Sequence, residues 1–240
     1  MQLSKRMQRL ASLVTEGNRL ADVGTDHAYI PIALVREGRI PSALAMDVNQ
    51  GPLSRAREHI RSSGLDTYIE IRLSDGLEKL KAEEADTVLI AGMGGMLTVR
   101  ILEGGVHCLH AVRELILQPQ SDIQEVRRWL YGHGYRIVEE DVAEEDGKYY
   151  PMMKAVRGQE EIPQEAELYY GNVEIQRSPD ILYACLLGQL TRKQKVMESL
   201  RRCGKEDTKR AREMECDMER IRYHMRRLRA AREGEEVFPV

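Results

Sequence analysis

Between Arg19 and Arg157 short apolar runs alternate with stretches of helical periodicity, and this alternation narrows the fold more than any other feature of the chain. The apolar runs are Arg19–Val23, Ala43–Asp47, Tyr68–Leu73, Ala85–Ala91 and Arg113–Leu117. Between them Ile30–Glu37, Gly51–Ser62, Met96–Leu102 and Ile123–Tyr131 carry apolar residues at helical spacing. Strand, helix and strand in turn build a parallel sheet covered on both faces. The pattern then changes. Tyr135–Val142 and Tyr149–Val156 read as two strands joined by Glu144-Glu145-Asp146-Gly147-Lys148, in which Asp-Gly signals a hairpin. The expectation is an α/β fold, with a mostly parallel seven-stranded sheet closed by an antiparallel hairpin.

Gly158–Pro163 reads as a boundary, giving domains 1–158 and 159–240. After Ser178-Pro179-Asp180 the chain reads as helical to its end. Ala211, Met214, Met218, Ile221, Met225 and Leu228 are spaced alternately three and four apart, a heptad stripe. Leu182, Leu186, Leu190, Met197 and Leu200 form a looser stripe, with Cys203-Gly204-Lys205 as the turn between them. The tail is therefore expected to be an antiparallel helical hairpin, a short coiled coil. Its seam can close within one chain or between two, so monomer and dimer both stay open. The methionines are read as packing rather than ligands. Cations outnumber acids in this tail, Arg222 and Arg226 among them. They read either as a solvated face with intrahelical ion pairs or as a contact for phosphates. No acid lies between His224 and Arg232, which favours phosphates.

The formal net charge of −3 does not decide the partner. No apolar run approaches the roughly 20 residues that cross a bilayer. Lys5, Arg6 and Arg9 near the start are not followed by the apolar segment of a secretory signal. The four cysteines lie far apart, so the expectation is a soluble, reduced, cytosolic protein. His107, Cys108 and His110 crowd too closely for an open metal site, and no metal is expected. Trp129 reads as core; Glu139-Glu140-Asp141 and Glu144-Glu145-Asp146 read as the solvent side of the hairpin.

The chemistry concentrates in Asp22-Val23-Gly24-Thr25-Asp26-His27-Ala28, a Gly turn between the first strand and a helix. A glycine there lets a ligand approach the backbone, and the helix start offers free N–H groups. A dinucleotide fingerprint needs further glycines. Here Asp26 and Asp22 would repel a pyrophosphate and suit a cation. S-adenosylmethionine carries both an ammonium and a sulfonium, which Asp22, Asp26 and the Gly24 backbone can meet. Asp47 ends the second strand, where an acid accepts ribose hydroxyls. Asp75-Gly76 ends the third, where an acid accepts from an adenine amine. Each of these two acids can instead cap a helix. Three glycines (Gly92, Gly94 and Gly95) flank Met93 after the fourth strand and offer a flat floor to the donor or to a base; a bare tight turn is the alternative. Gln118 ends the fifth strand and can face an adenine edge or cap the next helix.

These residues together resemble a known family. Asp22-Val23-Gly24-Thr25-Asp26-His27-Ala28-Tyr29, Ile90-Ala91-Gly92-Met93-Gly94-Gly95, Leu115-Ile116-Leu117-Gln118-Pro119 and Glu144-Glu145-Asp146-Gly147-Lys148 resemble the bacterial TrmK-type tRNA (adenine-N1)-methyltransferases. The resemblance covers nearly the whole chain, including the helical tail. It implies a class I, Rossmann-like methyltransferase fold, S-adenosylmethionine as cofactor, and methyl transfer to N1 of adenine-22 in the tRNA D-arm. One departure is Gln118-Pro119-Gln120, where Gln-Pro-Asn is expected. In this reading Asp26 and His27 are the candidate catalytic residues. Tyr29 is a candidate for the substrate base, with core packing the preferred alternative for it; solvent exposure is the alternative for His27. Rival readings are a nicotinamide-dependent reductase, which lacks its fingerprint glycines, a non-enzymatic nucleotide-binding adaptor docking through the coiled coil, and a methyltransferase for another acceptor.

Overall fold

The structure is a computed structural model that describes residues 2–233. It opens with a helix that the periodicity above did not mark. The Ser4 hydroxyl caps α1 (Lys5–Leu13) by accepting from the Met7 amide, and Leu10, Ala11 and Leu13 bury one face of it. There follow β1 (Leu20–Val23), α2 (Tyr29–Arg36), β2 (Ala43–Asp47), α3 (Gln50–Ser62), β3 (Ile69–Leu73), β4 (Thr87–Met93), α4 (Gly95–Gly104), the short α5 (Val106–Leu109), β5 (Glu114–Pro119) and α6 (Ile123–Gly132). The hairpin is β6 (Tyr135–Glu145) and β7 (Lys148–Arg157).

One seven-stranded sheet runs in the order β3-β2-β1-β4-β5-β7-β6. The first five strands are parallel, and β7 lies antiparallel between β5 and β6. The expected class of sheet is what forms. Central strands read as continuous apolar runs because helices cover both faces: Val88, Leu89, Ile90, Leu115, Ile116 and Leu117 are fully buried. Strand order reverses between β1 and β4, where Val23 stands level with Met46 on one side and Ile90 on the other. At such a switch the loops leave the sheet in opposite directions and open a crevice at the carboxyl ends.

The hairpin turns on Asp146 and Gly147, both left-handed (φ 51° and 70°), as a two-residue turn requires. Glu144 and Asp146 face solvent, but Glu140 and Asp141 do not. α1 covers one face of β6 and α6 the other. Arg9 of α1 pairs with Asp141 at 2.7 Å, and Arg127 of α6 pairs with Glu140 at 2.6 Å. A solvent face was expected because a terminal hairpin with acids reads as half-exposed; the two covering helices, each carrying an arginine, make these acids internal. Trp129 is buried against His133 and Tyr135.

The chain divides into two compact units, the first ending at Ile162 and the second beginning at Pro163. The second unit holds α7 (Glu165–Tyr170), a 3₁₀ turn (Val173–Ile175), α8 (Pro179–Arg202) and α9 (Lys209–Glu233). Leu182, Leu186, Leu190 and Met197 of α8 are buried, as are Ala211, Met218, Ile221, Met225 and Leu228 of α9. The helical reading of residues 234–240 lies outside the described residues. Among the described residues no helix is long and apolar enough to cross a membrane.

The buried Arg127 guanidinium makes a testable contrast. Glu140→Ala removes its carboxylate and is expected to cost about 3–5 kcal/mol in urea unfolding. Glu144→Ala, on the exposed turn, is expected to stay within about 0.5 kcal/mol of the parent.

Candidate active site

Asp22 lies near the carboxyl end of β1 and is buried. Its carboxylate accepts one hydrogen bond, from the Thr25 hydroxyl at 2.6 Å. Burial pushes its pKa up to about 6, against the Thr25 hydrogen bond and with a further push from Asp47. Gly24 is left-handed (φ 74°), and its amide and that of Thr25 both donate to the Met46 carbonyl. The turn therefore hangs from β2 while exposing bare backbone. A Cβ at Gly24 would come within 2.0 Å of the Met93 methyl, so this turn and the β4 end close on each other only through glycine.

Asp26 is exposed. Its carboxylate lies 3.1 Å from His27 Nε2 and 3.5 Å from Arg55. His27 and Ala28 then take left-handed backbone (φ 62° and 55°), a costly conformation for two successive side-chain-bearing residues. α2 begins at Tyr29 without a side-chain cap. The consequence is a triple ring stack: the rings of His27, Tyr29 and His59 lie 5.0–5.4 Å apart. His59 also reaches the His27 carbonyl through Nδ1 at 3.3 Å. Tyr29 is thus half-buried in a stack rather than packed in the core, and His27 is half-buried with its Nδ1 enclosed rather than facing solvent.

The other strand ends differ in how well they fit their expected roles. Asp47 caps no helix. Its Oδ1 accepts from the Asn49 amide at 2.7 Å, and Asn49 itself is the N-cap position of α3. Asp75 is exposed, beside Gly76, whose left-handed turn (φ 52°) packs on Ile101. Gly92 is left-handed (φ 78°) and Gly94 sits at the start of α4. Gly95 faces protein instead of ligand: a Cβ there would lie 2.4 Å from the Ser121 carbonyl oxygen. Its role is to let α4 meet the β5–α6 loop. Gln118 is buried and caps nothing; its side-chain oxygen accepts from Arg6 at 3.1 Å.

A cavity of about 260 Å³ opens at these strand ends, lined among others by Arg6, Asp22, Gly24, Asp26, Tyr29 and Gly92. Gln120 also lines it, so the residue that departs from the expected Gln-Pro-Asn stands in its wall. Asp47, Asp75, Gly94 and Gln118 lie outside that lining. A larger hollow, about 610 Å³, lies at the amino ends of β1 and β2, but its Glu70 and Glu84 are taken up by Arg72. Three residues of the site neighbourhood escaped the sequence reading: Arg6, Arg55 and His59. Their signals were present, namely Ser4 ahead of the apolar positions Met7, Leu10 and Ala11, and Arg55 and His59 one helical turn apart.

The profile of a methyltransferase domain matches residues 3–153. The tRNA (adenine(22)-N(1))-methyltransferase of Bacillus subtilis is 41% identical over 158 residues, 66% of each chain, just under two-thirds of that relative's length. The crystal structure of the B. subtilis m1A22 tRNA methyltransferase TrmK superposes with a TM-score of 0.81 at 32% identity, over 93% of this chain and 99% of that one. The chain belongs to the TrmK family. A Streptococcus pneumoniae structure solved in complex with S-adenosyl-L-methionine matches with a TM-score of 0.83 at 32% identity, over 93% of this chain and all of that chain. The fold is therefore the class I methyltransferase sheet, as TrmK resemblance implied.

The second unit of this TrmK-family chain spends several of its cations internally. Lys193 pairs with Asp217 at 2.6 Å, Arg232 with Asp180 at 2.5 Å, and Arg227 with Glu167; Arg229 bonds the Tyr183 hydroxyl. Two cations of the segment from His224 to Arg232, Arg227 and Arg232, thus meet acids distant in sequence, which local charge counting did not register. Arg222 and Arg226, one turn apart, remain exposed and without a partner among the described residues.

Asp22 carries a stability signature. Its folded pKa, about 6, lies above its ordinary value of 3.8, so stability is fully present below about pH 4 and is lost as pH rises through 6. Asp22→Asn is expected to raise urea-unfolding stability by about 3 kcal/mol at pH 8 and to give little gain at pH 4.

Proposed function

We propose that the protein transfers a methyl group from S-adenosylmethionine to N1 of an adenine in tRNA, adenine-22 of the D-arm. The observation that carries this reading is the desolvated Asp22 carboxylate beside bare Gly24 backbone, in a cavity at the switch point of a TrmK-family sheet. The residues suit the cofactor's chemistry: a buried acid with a raised pKa gains most from a cation, and a left-handed glycine admits a close approach. Bound S-adenosylmethionine supplies a methyl already activated on a sulfonium.

The residues then divide the work. Asp22 holds the cofactor's ammonium, Gly24, Gly92 and Met93 bound its path, Asp47 accepts from ribose hydroxyls, and Asp75-Gly76 receives the adenine edge. Adenine N1 needs no deprotonation, because its lone pair lies in the ring plane. Alignment therefore supplies much of the acceleration. The methylated base is a cation, and the Asp26 carboxylate, lining the same cavity, stabilises that charge as it develops. The His27–Tyr29–His59 stack presents a flat aromatic face on which an extruded base can rest. N1 is on the Watson–Crick edge, so a paired target base must leave its stack first. Arg222 and Arg226, on the helical unit 159–240, are proposed to contact tRNA phosphates, which places the substrate without reading sequence. The same reading makes the protein a cytoplasmic enzyme, and it leaves the oligomeric state unassigned.

Incubation with labelled methyl donor and total tRNA is expected to yield N1-methyladenosine mapping to position 22; label in another nucleoside, or none, contradicts the reading. Asp26→Asn is expected to lower kcat about 100-fold, the scale of removing one electrostatic contact to a developing charge, while tRNA KM changes little. The double variant Arg222→Glu, Arg226→Glu is expected to raise tRNA KM at least about 10-fold with S-adenosylhomocysteine affinity unchanged, and to steepen its salt dependence less than the parent.

A further inference from the structure

The Asp26-His27-Ala28 turn carries the carboxylate and the ring face of the site, yet little of what fixes it is its own. His27 and Ala28 both stand in left-handed backbone (φ 62° and 55°), a pair of conformations that persists only where surrounding groups over-determine it. The helix that the turn opens, α2, has no side-chain cap. The His27 ring is not anchored through Nδ1, which is enclosed and makes no hydrogen bond.

The restraint comes from α3, through Arg55 and His59, one helical turn apart. His59 Nδ1 lies 3.3 Å from the His27 carbonyl oxygen, and a carbonyl only accepts, so the proton sits on the His59 nitrogen. The His59 ring stacks on both of the others, at 5.0 Å and 23° to the His27 ring and at 5.4 Å and 20° to the Tyr29 ring. One side chain thus holds both the strained backbone and the ring that hangs from it. Arg55 approaches Asp26 Oδ1 at 3.5 Å, the same oxygen that His27 Nε2 approaches at 3.1 Å. Both contacts fall on Oδ1, and Oδ2 has none among the described residues. The Asp26 side chain is 66% exposed, so these contacts contribute little to stability. What they set is direction. The brace is itself fixed, because Leu53, Ala56 and Ile60 bury the inner face of α3, which packs on β2 and β3.

We infer that His59 is a positioning residue for the methyl-transfer step: it fixes the His27 ring and backbone so that Asp26 presents its open oxygen to the target adenine. This rests on the proposed methyl transfer to tRNA and adds a residue to it. His59 does not line the cavity, so it acts through His27 and Asp26 and not on the reacting atoms. Gly24 and Thr25 hang independently from the Met46 carbonyl. Loosening the turn beyond them therefore leaves the cofactor's cradle standing and disturbs the alignment of the base. Alignment is felt in kcat, where a misplacement of about 1 Å can cost about 100-fold.

The test takes the His59 side chain apart in the full-length protein. Methyl transfer to tRNA gives kcat and tRNA KM, and calorimetry gives S-adenosylhomocysteine affinity. His59→Ala removes both ring and donor, and is expected to lower kcat about 30-fold, with tRNA KM and S-adenosylhomocysteine Kd within about 3-fold of the parent. His59→Asn keeps a donor where Nδ1 stands, and His59→Phe keeps a flat ring. At least one of them is expected to recover kcat to within about 5-fold of the parent, which tells whether the bond or the stack does the positioning. These two variants also read the effect if His59→Ala fails to fold. Parental kcat in all three variants overturns the inference. So does a loss that neither Asn nor Phe recovers, or one that appears in S-adenosylhomocysteine affinity as strongly as in kcat, which would make His59 a general support of the domain. A parent that methylates no tRNA overturns the function reading itself, whereas an active parent with indifferent variants overturns the role of His59 alone.

Discussion

A carboxylate held out of water near the carboxyl end of β1 governs the site. Asp22 is buried because β1 lies between β2 and β4 with all of its residues covered. One hydroxyl hydrogen bond does not replace the water it loses, so the ionised form is strained upward in pKa. A chain that keeps such an acid in its core gives up stability there, and a bound cation returns it. Asp22 sits where strand order reverses, at the place the topology leaves open. The sheet thus sets both where the ligand goes and what charge it must carry.

Charge pairing separates framework from site. Glu140 and Asp141 have their arginines, and Glu114 has Thr15, Thr87 and Lys154. These groups are saturated, and they lie along the hairpin or at the amino ends of the strands. Around the cavity the pattern inverts. Asp22 lacks a cation, Arg6 lacks an anion, and two left-handed non-glycine residues follow Asp26. Unmet charge and backbone strain gather where a ligand can relieve them.

Much of this was legible in the sequence because it is local. Apolar runs of strand length, helical spacing between them and Asp146-Gly147 in the hairpin suffice for the sheet and its closing turn. The acids at strand ends stood out because a fingerprint glycine was missing beside Asp26. What escaped was non-local. Nothing near Glu140 or Asp141 announces that Arg127 and Arg9 will cover them from opposite faces. Glu167 and Asp180 neutralise Arg227 and Arg232 from far along the chain. Gly95 looked like Gly92 and Gly94 in a glycine-rich stretch, and only the backbone of Ser121 and Asp122 gives it a different task. Arg6 lies more than a hundred residues from Gln118, so its orientation could be known only from the fold.

The central claim is that ionised Asp22 binds the cationic end of the cofactor, and its pH dependence tests this most directly. S-adenosylhomocysteine keeps its ammonium throughout the acid range, so calorimetric affinity from pH 8 to pH 5 reads the state of the protein. The account predicts a constant Kd down to about pH 6, the pKa of free Asp22. Below that the affinity weakens toward about tenfold per pH unit, and Asp22→Asn binds weakly at every pH. A Kd that stays flat from pH 8 to pH 5, or an Asp22→Asn protein that binds as tightly as the parent, would contradict it.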